Sequence, residues 1–540
     1  MLFELMLSMG CVTCGEGTLM VDGECVPQGE GGGGTSGDDT GDDPSVDGDG
    51  DGFAEDDCDD SDPEVHPDAE EICGNGVDDN CNGSLDGCGG WEGSAAASEL
   101  GFSIDGVGGA LGFDVEVGDF DGDGRTDLVA GAPYAGGYIE GGGQVELILG
   151  PVAEGGSVGG LSSATLQGRT RDGYFGRDMA VADWDGDGDD DLAVAAPEGG
   201  FLSSSRGQGA VYLFSTPAGD LSDEDADAAW LGSTVEDGAG IALDRVPDTD
   251  GDGLPDLVVG AWGNGALYEY FGGAAFVVTS PLEGGGSLEG ATGRYYGGRG
   301  NGGGVAMGGS VTGGDFDGDG LGDIAVSAYG HYKGEGDAQG GAVYAWFGPL
   351  DAIGSVDDSD ALLWMPYSRY ALPGEDPRQD EAGDLDGDGV DDLLIGTPGW
   401  QSSLGAVHIF SGESVDGERS MTLADARIEG VATEERLGSG VRIAGDQDGD
   451  GSVDLLVGAY TNSEWFSTSG MAYLMPGGFS GTTTVDDAMV EIHGIAQHDQ
   501  LGSGMAVGDL TGDGPADLVL STRGGGDWGG QVWILPASGI

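Results

Sequence analysis

Asp119, Asp121, Asp123 and Asp127 occupy positions 1, 3, 5 and 9 of the stretch Asp119-Phe120-Asp121-Gly122-Asp123-Gly124-Arg125-Thr126-Asp127, which runs straight into the apolar segment Leu128 to Pro133. Alternate carboxylates around a glycine turn, with the backbone carbonyl of position 7 (here Arg125), converge into an all-oxygen cradle for a hard divalent cation. Ca²⁺ suits that donor set; Mg²⁺ prefers to keep its waters and an octahedral shell.

The spacing returns six more times. The sets, in the order of positions 1, 3, 5, 7 and 9, are Asp183, Asp185, Asp187, Asp189 and Asp191; Asp248, Asp250, Asp252, Leu254 and Asp256; Asp315, Asp317, Asp319, Leu321 and Asp323; Asp384, Asp386, Asp388, Val390 and Asp392; Asp446, Asp448, Asp450, Ser452 and Asp454; and Asp509, Thr511, Asp513, Pro515 and Asp517. In the last set Thr511 replaces a carboxylate while Pro515 keeps its carbonyl, so weaker binding is expected there. Two carboxylates about 4 Å apart repel by roughly 1 kcal/mol in water and by more at lower dielectric. A bound cation relieves this, so the loops are expected to hold about seven structural Ca²⁺.

Seven copies at a mean period of 65 residues describe a repeat architecture. Repeat 2 shows its parts: residues 175–182 before the loop, 191–197 after it, then 210–214 and 229–232. Short runs of small, β-branched and aromatic residues bounded by Gly and Asp predict strands. The expected fold is therefore all-β: a seven-bladed β-propeller of four-stranded blades. Only two strands follow the last loop, 517–520 and 531–535, and one is left over at 100–105. Pairing of 100–105 with 531–535 is expected to close the ring and remove an exposed edge.

Phe175-Gly176 before a loop and Gly131-Ala132-Pro133 after one resemble the FG-GAP repeat of integrin α-subunit propellers, over residues 98–540. The Phe-Gly pair becomes Leu-Gly at 111, 437 and 501, Ala-Gly at 239 and Met-Gly at 307; repeat 5 has no such pair, which puts its innermost strand in doubt. In a propeller the connections between strands two and three, and between blades, lie on the face opposite the cation loops. Tyr134, Tyr295, Tyr296, Arg299, Tyr332, Lys333, Trp400, Trp465 and Trp528 fall in those connections as read from the sequence, and aromatic and arginine side chains are what binding surfaces use. The resemblance implies that this face takes a ligand, of protein or carbohydrate class.

The formal charge of -84, from 100 acidic residues against 16 basic ones, repels nucleic acid and anionic membrane surfaces. All seven cysteines lie in the first 90 residues. Residues 1–11 resemble the end of a bacterial lipoprotein signal, with Gly10 before Cys11. Lipidation of Cys11, a cleaved signal and no export signal all stay open, lipid on Cys11 being the one membrane attachment expected. If Cys11 is lipidated, six thiols suit three disulfides in an oxidising compartment. Residues 12–27 read as a small hairpin closed by Cys14 and Cys25, and 28–46 as a flexible acidic linker.

Residues 47–90 resemble the MopE-type metal-binding motif of bacterial surface proteins. Asp47, Asp49 and Asp51 alternate with glycine, and Asp78, Asn80, Asn82 and Asp86 repeat the cation-loop spacing. One or two Ca²⁺ are expected, together with disulfides, because the segment is too short for a core. Copper wants His or Met ligands, and His66 is the one histidine available there.

The five histidines are scattered, and no nucleophile or acid–base constellation stands out from the abundant carboxylates. The chain is therefore expected not to be an enzyme. It is expected to be an exported, calcium-binding protein, a cell-surface or outer-membrane lipoprotein or an extracellular one, serving adhesion or ligand binding. The alternatives are a surface-coat or spacer protein without a specific ligand, and a polysaccharide lyase-type enzyme.

Overall fold

The computed structural model describes residues 18–21, 24–27 and 93–537, apart from 137–138, 200–206, 266–271, 301–302, 332–339, 366–379, 433, 464 and 525–528. The chain divides into two units, Met1–Ala69 and Glu70–Ile540. In the first, Thr18–Val21 pairs antiparallel with Glu24–Pro27, which forms the hairpin expected there. Cys14 and the acidic linker lie outside the described residues, as does the 47–90 segment with Asp47, Asp49, Asp51, Asp78, Asn80, Asn82 and Asp86.

In the second unit seven sheets of equal make-up are the blades of a β-propeller. Blade 2 is typical: Met179–Ala182, Asp191–Ala196, Ala210–Phe214 and Ala228–Leu231 pair antiparallel in chain order. The second strands are small or aliphatic after their leading acid, as in Asp127–Ala132 and Asp454–Ala459, and every residue in them is buried. Both faces of each blade are covered by its neighbours, so neither face of these strands needs polar residues. The core is divided accordingly. Seven clusters of buried side chains each join two adjacent blades, for example Val129, Leu147 and Leu166 of blade 1 with Met179, Val194 and Phe214 of blade 2.

Repeat 5 does have an innermost strand, Asp380–Gly383, although it lacks the Phe-Gly pair. Phe102–Asp105 pairs antiparallel with Gln531–Leu535, Ile104 opposite Val532, and closes the ring as expected.

Each blade has one strand more than the sequence led us to expect. The connection between strands three and four of the following blade lies parallel on the outer edge: Gly219–Ser222 from blade 2 pairs with Ala164–Gln167 of blade 1, and Gly481–Thr484 from blade 6 pairs with Ala426–Glu429 of blade 5. At the seam Gly93–Ala96 pairs with Val490–His493 of blade 6 just before the closing strand, and Gly156–Ser157 of blade 1 covers that strand in turn. The propeller fold thus starts at residue 93 rather than 98. The seven clasps cover the outer edge of every blade, as edge protection requires.

Blades also meet at a recurring glycine. At five of the Phe-Gly-type pairs the residue before the glycine bridges to the glycine that precedes strand three of the blade before, as in Gly143 with Phe175 and Gly209 with Ala239. Gly209 has φ +81°, and a Cβ there would lie 2.2 Å from the Ala239 carbonyl oxygen. Only glycine allows that approach.

Candidate metal centres

Each loop joins strands one and two of a blade and is anchored at position 2. Phe120, Trp184 and Phe316 are buried there and plug into the cores between blades. The glycines at positions 4 and 6 adopt positive φ in every loop, for example Gly122 at 69° and Gly124 at 81°. That conformation turns successive N–H groups inward, and the carboxylates receive them. In loop 1, Asp119 accepts from Asp123 N (3.1 Å) and Gly124 N (2.8 Å), and Asp123 accepts from Arg125 N (3.0 Å). In loop 3, burial works to raise the Asp248 carboxyl, but four backbone N–H groups outweigh it and hold the group below its ordinary range.

Position 9 has a second role that sequence reasoning missed. Its carboxylate accepts the position 2 N–H in all seven loops, from 2.7 Å at Phe316–Asp323 and Gln447–Asp454 to 3.0 Å at Phe120–Asp127. In five blades its other oxygen accepts an N–H from just after strand three, as in Gly150–Asp127 at 2.7 Å. The ninth aspartates therefore staple loop to sheet and are buried. Burial, opposed by these hydrogen bonds and supplemented by the other loop acids, pushes Asp191 and Asp323 up to about 7 and Asp127, Asp392, Asp454 and Asp517 up to about 6. Asp256 is raised for the same first reason.

In five loops three of the expected aspartates converge, position 5 lying outside the group in four of them and position 9 outside it in loop 3. Oxygens of Asp119, Asp121 and Asp127 all lie within 4.8 Å of one another, as do those of Asp183, Asp185 and Asp191; Asp315, Asp317 and Asp323; and Asp384, Asp386 and Asp392. In loop 3 the set is Asp248, Asp250 and Asp252, while Asp256 also takes the Thr249 hydroxyl. In loop 7 the Thr511 hydroxyl turns to Asp517 at 3.3 Å. An oxygen-only donor set, fixed by backbone N–H groups and mutually repulsive, fits a hard divalent cation. Adjacent loops are also joined: Asp119 N donates to the Asp190 carboxylate (2.9 Å) and Asp190 N to the Asp119 carbonyl (2.8 Å).

The opposite face holds fewer of the expected ligand residues. Tyr134 is exposed, edge-on to Phe113 and Tyr174. Trp465 is exposed and stacked on His493. Trp400 is half-buried, its indole N–H donating to Glu429 and the Arg427 guanidinium lying over its ring. Tyr295 and Tyr296 are a correction. They form the outer strand Gly293–Tyr296 and point to opposite sides of blade 3, Tyr295 against Trp346 and Tyr296 against Phe276, both buried between blades. Strand alternation sends neighbours to opposite faces, and here both faces are interior. The Arg299 side chain, Tyr332, Lys333 and Trp528 lie outside the described residues. Trp262, exposed and packed on Tyr329, belongs to this face and was missed; its place directly after Gly260-Ala261, where blade 1 has Pro133, was the available signal.

Comparison with known proteins agrees with this geometry. A model described as FG-GAP repeat matches residues 111–145, 175–214, 307–346 and 380–410, the region of blades 1, 2, 4 and 5. A model described as a putative metal-binding motif, of the copper-binding MopE type, matches residues 57–87. The chain is 35% identical to mouse integrin alpha-IIb over 164 residues, 30% of this chain and 16% of that one. It is 30% identical to chicken integrin alpha-V over 177 residues, 32% of this chain and 17% of that one. It is 31% identical to a Dictyostelium discoideum phosphatidylinositol-glycan-specific phospholipase D over 193 residues, 31% and 20% of the two chains. The chain thus spans about a sixth to a fifth of the length of these relatives. Among solved structures it resembles the Bacillus licheniformis rhamnogalacturonan lyase PL11, with TM-score 0.41 and 13% identity over 82% of this chain and 76% of that one. It also resembles the Dos1 propeller, with TM-score 0.40 and 11% identity over 79% and 77%. FG-GAP repeat models thus match four of the seven blades, and a MopE-type model matches a segment that precedes them in the chain.

Proposed function

We propose that the protein is exported, that its loops hold Ca²⁺, and that the face opposite those loops binds a ligand in adhesion. One observation carries the reading. Ten large apolar side chains stand exposed among the described residues, and eight of them, including Tyr134, Val235, Trp262, Val431, Trp465 and Phe466, lie in connections at the end of the blades away from the metal loops. Concentration of exposed apolar groups on one face marks an interaction surface. The confinement of cysteine to the first 90 residues supports export.

Binding rather than catalysis is supported by the histidines. His408 is fully buried and held down to about 3, His493 lies under Trp465, His331 contacts the Tyr344 hydroxyl and His498 contacts Thr468. The test is a calcium-loaded variant with Tyr134, Trp262 and Trp465 all changed to Ala, assayed for attachment to the surface of the producing cells and to extracellular matrix. Loss of attachment at unchanged melting temperature supports a ligand-binding face. Attachment equal to wild type would make the propeller a spacer.

A further inference from the structure

On the opposite face the blade 6 corner is held by hydrogen bonds at several levels. Between strands two and three of blade 6 the chain rises from Thr461 to Gly470 and presents Trp465 and Phe466 to solvent, 48% and 43% exposed. The loop is pinned at its base: the Thr461 hydroxyl donates to the Glu434 carbonyl (2.8 Å), Asn462 Nδ2 to Glu435 Oε1 (3.1 Å), and Gly470 N to the Asn462 carbonyl (3.1 Å). Higher up, Thr468 N donates to Ser463 Oγ (2.9 Å) and His498 N to the Ser467 carbonyl (2.9 Å), while His498 Nδ1 meets Thr468 Oγ1 at 2.7 Å.

The indole of Trp465 lies flat on the His493 imidazole, ring centroids 4.2 Å apart and planes 14° from parallel. His493 is itself buried at 9% exposure, so one indole face is closed and the exposed area belongs to the other face and the rim. A flat aromatic face, backed by an imidazole and set in a loop to which the exposed His498 is bonded through Ser467 and Thr468, has the form of a platform for a pyranose ring. The C–H face of a sugar stacks on the ring while its hydroxyls meet the polar rim, and little ordering cost is left to be met on binding.

Charge selects the kind of sugar. Residues 460–470 and 494–500 contain no Lys or Arg, and the molecule around them carries -84. A uronate or sulfated glycan would approach against that field, and the Arg523 guanidinium beside this corner is engaged over the Phe113 and Tyr460 rings. We infer that Trp465 is a stacking platform for the pyranose rings of an uncharged polysaccharide. The inference rests on the ligand-binding reading above and names its ligand class.

The test is affinity electrophoresis of the calcium-loaded full chain through native gels containing dextran, galactomannan, xyloglucan or, as the anionic probe, polygalacturonate. At least one neutral polysaccharide should retard the wild type and polygalacturonate should not. Trp465→Ala should weaken the retardation at least tenfold, Trp465→Phe should keep part of it, and Leu423→Ala, exposed on the rim at 63%, should keep all of it. Retardation by no neutral polysaccharide, equal retardation of wild type and Trp465→Ala, or stronger retardation by polygalacturonate would each overturn the inference. If sugars fail while the triple variant described above still loses attachment, the face binds something other than a neutral glycan and the adhesion reading survives without this one. If the triple variant attaches normally, the adhesion reading falls by itself.

Discussion

Each ninth-position aspartate is a staple and, on the reading proposed above, a cation ligand, two purposes that pull its proton affinity in opposite directions. As staples these carboxylates are buried, and burial disfavours their charge; as ligands they must be charged. In the cation-free protein six of them are pushed from the ordinary value of 3.8 up to about 6 or 7. A folded-state value raised above the unfolded one gives stability that is complete below the unfolded value and is lost as pH rises through the folded one. Metal-free protein is therefore expected to melt at a lower temperature at pH 8 than at pH 5. Calcium affinity should move the other way, rising over the same interval, with protons released on loading. Calorimetry of resin-stripped protein at the two pH values, and calcium titrations in buffers of different ionisation enthalpy, measure both; a metal-free melting temperature indifferent to pH would show these groups ionised throughout. The convergence of Asp119, Asp121 and Asp127 was legible in their spacing because it is local. The staple was not, since the second partner, such as Gly150 for Asp127, lies 23 residues away. Tyr295 and Tyr296 were misplaced for a related reason: nothing in the tyrosines themselves distinguishes a strand buried on both sides from an exposed connection.

At the scale of elements, most of the antiparallel strands of the blades and the closing strand announced themselves because they run for four or more mostly apolar residues beside glycine or aspartate; Gly293–Tyr296 and Asp380–Gly383, with Arg294 and two acids, did not. The clasps did not. Gly286–Ser287, Ile353–Ser355 and Gly417–Ser420 are short, polar and largely exposed, because they use only backbone groups on one edge. No side-chain pattern is needed for that. Their importance is greatest at the seam, where Gly93–Ala96 holds blade 6 and the next strand completes blade 7. A chain starting at residue 98 keeps the closing strand and loses the clasp. At roughly 1 kcal/mol net per lost ladder hydrogen bond, it should be destabilised by about 3 kcal/mol and should self-associate through the uncovered strand Val490–His493. A chain starting at residue 107 loses both and should not form a closed monomer. Denaturant unfolding with analytical ultracentrifugation separates the outcomes; equal stability of the full chain and the chain from residue 98 would show the clasp to be incidental.

Across the whole molecule, seven carboxylate-rich loops lie on one face of a ring, in a chain whose formal charge is -84. The blades are bound to one another by shared cores and by loop-to-loop bonds such as Asp119 with Asp190, so repulsion at one loop loads its neighbours. A ligand bound to the native state alone, at a free concentration a hundred times its Kd, adds about 2.7 kcal/mol. Seven such sites add up to more than the roughly 5–15 kcal/mol that usually separates folded from unfolded domains. Chelation at pH 8 and low salt should consequently lower the melting temperature by at least about 15 °C. Part of that loss is repulsion between exposed carboxylates, which 1 M NaCl screens by shortening the Debye length to about 3 Å. Salt should therefore restore part of the melting temperature of chelated protein and add little to loaded protein. Scanning calorimetry in the four combinations of calcium and salt reads the result. Chelated protein that melts with the loaded form at low salt would mean the ring stands without its cations, and the loops would then have to be explained by their hydrogen-bonded staples alone.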